Sequence, residues 1–75
     1  MKDITHLALE KEFVHRCKSM VVEITFISVE CGVATSYHDC LEIVRRTPWG
    51  RALPIQACSE AILNSGVLAL LTEKI

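Results

Sequence analysis

The chain has almost no charge of either sign in excess. Eight basic residues against nine acidic ones leave a formal net charge of −1. Such a balance supplies no field for gathering phosphates or anionic lipid, so nucleic acid is not favoured as a partner. Long hydrophobic runs are also missing. Residues 67–72 form one of the longest uncharged apolar runs, and Glu23 and Glu30 interrupt the richest stretch. Neither is long enough to span a bilayer, and no membrane insertion is expected. The start, Met1-Lys2-Asp3-Ile4, lacks the apolar core of a signal peptide, which makes the cytoplasm the expected location.

Catalytic signatures are equally scarce. His6, His15 and His38 are scattered without nucleophile–base spacing, and no glycine-rich phosphate loop occurs. So short a chain also offers little concave volume for a substrate, so no enzyme, no catalytic residue and no cofactor is expected. Four cysteines (Cys17, Cys31, Cys40, Cys58) contain no Cys-x-x-Cys pair. In a reducing compartment they read as small buried apolar side chains. A zinc site from His15-x-Cys17, Cys31 and His38-x-Cys40 has the right residue types, but not the spacing of a known closed site.

What the sequence does have is apolar side chain. Fifty-one per cent of its 75 residues are hydrophobic. A domain of this size buries only about 60% of its unfolded surface, so an exposed apolar surface, and with it a protein partner, is expected.

Phe13, Cys17, Met20, Ile24, Ile27 and Cys31 recur every three or four positions, the period of a helix face. Helix is expected through most of 3–31, with a break near Lys18-Ser19. The β-branched stretch 21–29 also fits a strand taken alone. Gly32 ends this region, and Ser36 with Asp39 resembles a capping box opening a helix from Tyr37 to Arg46. Arg45 and Arg46 suit the negative end of that helix. Thr47-Pro48-Trp49-Gly50 reads as a turn, with Trp49 either a plug between helices or a partner contact. Pro54 is placed to open a third helix, turning Ile55, Cys58, Ile62 and Leu63 inward. After Asn64-Ser65-Gly66, a last helix runs from Val67 to Lys74. The expected fold is all-α: one helical domain over 1–75, built of antiparallel hairpins.

Tyr37-x-x-Cys40-Leu41-x-x-Val44 has the form of the second helix of a tetratricopeptide unit, and Ser59, Ile62, Leu63 and Gly66 stand 31 positions after Ser28, Cys31, Gly32 and Thr35. Together with Pro48-Trp49 and Pro54-x-x-Ala57-x-x-Glu60-x-x-Leu63-x-x-Gly66, this pattern resembles the tetratricopeptide-like chaperones of the type III secretion needle subunit, the YscG type. The resemblance covers roughly residues 26–71. That family has a further helical hairpin ahead of this region, and its turn glycine is Thr35 here. It implies a cytoplasmic chaperone that holds the needle subunit by its amphipathic C-terminal helix, prevents premature polymerisation, and works with a small helical co-chaperone. Carried onto this chain, the repeat register points Val22, Thr25, Val29, Val33 and Leu63 into the partner groove. Ile24, Ile27 and Cys31 then form a seam with Tyr37, Leu41 and Val44. An N-terminal helix folded across the valines is the plainer alternative for that face. The main rival function is a helix-turn-helix DNA-binding regulator built on residues 27–46; His38 at an apolar position, Asp39 and Glu42 on the would-be recognition helix, and the net charge count against it.

Overall fold

The computed structural model describes the backbone of residues 4–73 and the side chains of residues 10–72. His6 as a side chain, Lys2, and the expected helix limits at residues 3 and 74 lie outside the described residues. Five helices follow in order: α1 (Ile4–Glu30), α2 (Tyr37–Arg45), α3 (Pro48–Arg51), α4 (Ile55–Asn64) and α5 (Val67–Glu73). The protein is all-α, with no strand among the described residues.

The first helix runs 27 residues without interruption, so the break expected near Lys18-Ser19 is absent and the β-branched stretch 21–29 is helical. At 1.5 Å per residue it is about 40 Å long, and the remaining helices gather on its C-terminal half. The molecule is accordingly drawn out to 55 × 20 × 18 Å. Its radius of gyration is 13.9 Å, against about 11 Å for a compact chain of this length.

Gly32 ends α1 as expected. Its φ of +79° is open to glycine at no steric cost. In that conformation the Val33 N–H reaches Ser28 O at 3.0 Å and the Gly32 N–H reaches Val29 O at 3.1 Å, the paired bonds of a Schellman stop. Ser36 then caps α2, its hydroxyl accepting the Asp39 N–H at 3.1 Å. The Asp39 carboxylate reaches back one residue further than a standard box, to the N–H (3.1 Å) and hydroxyl (3.0 Å) of Thr35.

The expected turn at 47–50 is a one-turn helix. Thr47 caps it by accepting the Gly50 N–H, and Pro48 takes its first position. Gly50 is buried where α3 meets α2 most closely: a Cβ there would stand 1.9 Å from the Val44 carbonyl oxygen. Near the end of α1 only the small Ser28 is buried, whereas Ile27 and Cys31 face outward. Arg45 does more than balance a helix end. Its guanidinium donates to Gly50 O at 2.8 Å and Leu53 O at 2.6 Å, tying α3 and the following loop to α2.

The core consists of Cys17, Val21 and Val29 from α1, Ala34, Cys40 and Val44, Leu53, Cys58 and Ile62, and Val67. Three of the four cysteines are buried, as their reading as small apolar residues expects; Cys31 is exposed. Pro54 is the cap residue of α4 rather than its first turn, and of its four expected inward residues only Cys58 and Ile62 are buried. Ile55 and Leu63 are 57% and 50% exposed.

Candidate protein-binding surface

An α-helix turns 100° per residue, so the stripe α1 gives to the core fixes where its other side chains look. That stripe is Cys17, Val21, Thr25, Ser28 and Val29. Thr25 is wholly buried without penalty because its hydroxyl donates to Val21 O at 2.7 Å. Phe13, Met20, Ile24, Ile27 and Cys31 lie about a quarter-turn round the helix from it. Phe13 and Ile27 are each 56% exposed, Cys31 is exposed, and Met20 and Ile24 are half-buried.

The seam implied by the repeat register is therefore corrected. Of its α1 members only Ile24 packs against the core, while Ile27 and Cys31 face outward; the α2 members Tyr37, Leu41 and Val44 do face the core. Both stripes satisfy the three-and-four spacing and share Cys17. The bundle uses the one with smaller side chains, Thr25 and Ser28 among them, where neighbouring helices sit close. Residue size, rather than apolar periodicity, was the signal that separated the two.

The five groove residues read from the repeat register do not share one wall. Thr25 and Val29 have no exposed surface and belong to the core. Val22 is half-buried and lines a cleft of about 400 Å³ between α1 (His15, Lys18, Ser19) and the end of α4 (Ala61, Asn64, Ser65). Val33 is 67% exposed and Leu63 is on the surface of α4. The register fails on α1 because it carries the core stripe about a quarter-turn from where the packing puts it.

A second hollow, about 330 Å³, lies between α2 and α4, with Leu41 and Ile55 flanked by His38, Glu42, Arg45 and Arg46. Its rim holds a His38–Glu42 contact at 3.8 Å. Trp49 is 38% exposed on α3. Tyr37, half-buried, shares a hydrogen bond with Ser59 that ties α2 to α4.

Two titratable groups are displaced, and both are structural. Hydrogen bonds from Thr35, its N–H first and its hydroxyl next, hold the Asp39 carboxyl below its ordinary value. Burial, followed by the nearby Asp39 charge, pushes the Cys40 thiol up, which leaves it protonated and a poor nucleophile. Among the described residues no cluster of three or more His, Cys, Asp or Glu side chains is placed to hold a metal ion, and no helix is long and apolar enough to cross a membrane.

The surface thus offers apolar contact and shallow clefts along α1 and α4. No family model matches the chain, and no curated protein or solved structure matches it either.

Proposed function

We propose that this protein is a cytoplasmic type III secretion chaperone with a tetratricopeptide-like arrangement, which holds the needle subunit by its amphipathic C-terminal helix until export. The observation that carries the reading is the outer stripe of α1. Phe13, Met20, Ile24, Ile27 and Cys31, the last just beyond the end of α1, span 19 residues, about 27 Å along the axis, and they remain partly or largely in water after the chain has folded. Monomeric soluble proteins rarely leave so long an apolar line uncovered. Anchors at i, i+4, i+7 and i+11 from Met20 give α1 an apolar ridge against which the apolar face of an amphipathic guest helix can pack, helix on helix. The α1/α4 cleft opens on the opposite side of α1, at Val22, and is the natural seat for the small helical co-chaperone.

Co-expression with the needle protein of the same host tests this. Ile27→Asp should abolish capture of the needle protein while leaving the helical signal and melting temperature of the chaperone unchanged, because Ile27 is not a core residue. Capture that survives Ile27→Asp, or no capture by the parent protein, removes the reading.

A further inference from the structure

We infer that the helix seated on the outer ridge of α1 is basic along one flank, with Lys or Arg side chains two turns apart that meet Glu23 and Glu30. The inference rests on the proposed use of that ridge as a seat and adds the chemistry of its occupant.

From Cys17 to Cys31 the charged side chains are Lys18, Glu23 and Glu30. Their bearings follow from the helical turn of 100° per residue. Glu23 and Glu30 stand four residues before and three after Ile27, and both lie roughly 40–60° further round from the bundle than Ile27 does. They are two turns apart on nearly one line, about 10 Å along the axis, and both are exposed. Neither is paired with a cation among the described residues. Lys18 looks the other way, about 140° round from Glu23, where with His15 it lines the α1/α4 cleft. Arg16 continues the Glu23–Glu30 line two turns earlier, but Glu12 meets it at 3.6 Å.

A helix packed on Met20, Ile24 and Ile27 covers the ridge with its apolar face and brings one polar flank over the two carboxylates. Lys or Arg on that flank gains attraction at both, whereas Asp or Glu there meets like charge. The cleft discriminates in the opposite sense. Its apolar contacts, Val22 and Ala61, sit beside Lys18, so a basic flank is repelled there and a basic helix is directed to the ridge. Both seats are apolar, and hydrophobicity alone does not tell them apart; charge does. Because the two carboxylates stand at an exposed rim, they act on the choice of guest and its rate of arrival more than on total affinity.

Two synthetic amphipathic helices with the same leucine face, one flanked by lysines and the other by glutamates, test this by fluorescence anisotropy with the full chain. The lysine-flanked peptide should bind about tenfold more tightly, and added salt should narrow the difference. Glu23→Lys combined with Glu30→Lys should reverse the order, weakening the lysine peptide and strengthening the glutamate one. The gain for the second peptide is a result that unfolding does not produce. Ile27→Asp should remove binding of the lysine peptide, while Glu60→Lys, a charge change of the same sign at an exposed position on α4, should leave the order as in the parent. Equal binding of the two peptides by the parent, an order that survives the double reversal, or lysine-peptide binding that survives Ile27→Asp overturns the inference. So does a ridge taken by a second copy of the chain, seen in sedimentation as a dimer that Ile27→Asp converts to monomer and the lysine peptide does not dissociate. The needle-subunit reading fails separately. A parent that sorts the peptides as described but does not capture the needle protein on co-expression loses that reading alone, whereas capture that Ile27→Asp abolishes and the double reversal leaves untouched sinks the charge inference alone.

Discussion

The two halves of α1 have the same backbone and opposite circumstances. The helix lies against four others, and residues 17–30 place Val21, Thr25 and Val29 beyond the reach of water, whereas residues 10–16 contribute no buried side chain. A free helix of that length is marginal in water. The bare half stays helical because the packed half has already met the nucleation cost and each further turn only propagates it. Exposed pairs such as Glu12–Arg16 add a few tenths of a kcal/mol. One continuous helix therefore carries both a run of wholly buried side chains and, from 10 to 16, a run in which every side chain is exposed. Apolar residues in the bare half are not there for the core.

The sharpest way to break this comparison is to put the same charge into each half. Val29→Asp buries an unpaired carboxylate and should cost about 4 kcal/mol or more, enough to unfold a domain with so thin a core. Phe13→Asp should fall within about 0.5 kcal/mol of the parent, as surface changes do. Thermal melts followed by circular dichroism compare them. Equal destabilisation would mean that the overhang is packed in solution and that the contrast is wrong. The same pair of melts distinguishes the core position found for Val29 from the groove position read off the repeat register, which expected a folded Val29→Asp protein.

A second test asks whether the packed half depends on close approach elsewhere. Gly50→Ala introduces a Cβ 1.9 Å from Val44 O and 2.6 Å from its carbonyl carbon. Both are backbone atoms, so no side chain can swing away. Separating α2 from α3 would also strain the Arg45 bonds to Gly50 O and Leu53 O. A loss of about 3 kcal/mol, the upper end of overpacking, is expected in denaturant melts. A loss under about 1 kcal/mol would show that the α2–α3 contact is looser than described.

The fold class, the Gly32 stop, the Ser36 cap and the separation of α2, α4 and α5 were legible in the sequence because each rests on local chemistry, whereas the break expected near Lys18-Ser19 is absent and the turn expected at 47–50 is a helix. Glycine at a positive φ, a hydroxyl ahead of free N–H groups and proline at a helix start need no tertiary partner to act. The rotation of α1 was not legible. Its two apolar stripes overlap at Cys17, and the choice between them depends on how near α2 and α4 approach, which the large side chains of Phe13 and Ile27 would prevent and the small ones of Thr25 and Ser28 permit. Gly50 and Arg45 were missed for a related reason. A glycine needed for closeness and an arginine committed to loop carbonyls look, in sequence, like an ordinary turn and an ordinary helix end. The candidate surface suffered most, since all five groove residues followed from a register whose rotation on α1 depends on tertiary packing.

The smallest expected effect sharpens the comparison at the start of α2, where order again comes from capping more than from burial. Asp39 is half-buried, and its carboxylate accepts the Thr35 N–H and hydroxyl in bonds open to solvent while its own N–H is held by Ser36. These bonds favour the ionised form and set its folded pKa below the ordinary 3.8. A depressed folded value means that the contribution is fully present above the unfolded pKa and lost as pH falls through the folded one. Stability of the parent should therefore decline as pH drops below about 3.8. Asp39→Asn should start slightly less stable at neutral pH, having lost the charged acceptor beside the helix N-terminus, and should show a shallower decline across the same acid range. Because these bonds are open to solvent, added salt should narrow the difference. The same substitution removes the negative charge next to Cys40, so the Cys40 thiol should titrate lower than in the parent, yet still above its ordinary value, since burial is the larger cause of its shift. Parallel acid melts of the two proteins, with thiol titration of Cys40 in a Cys31→Ser background, measure both effects. Identical acid slopes would show that the bonds to Thr35 do not persist in solution and that Ser36 alone starts the helix.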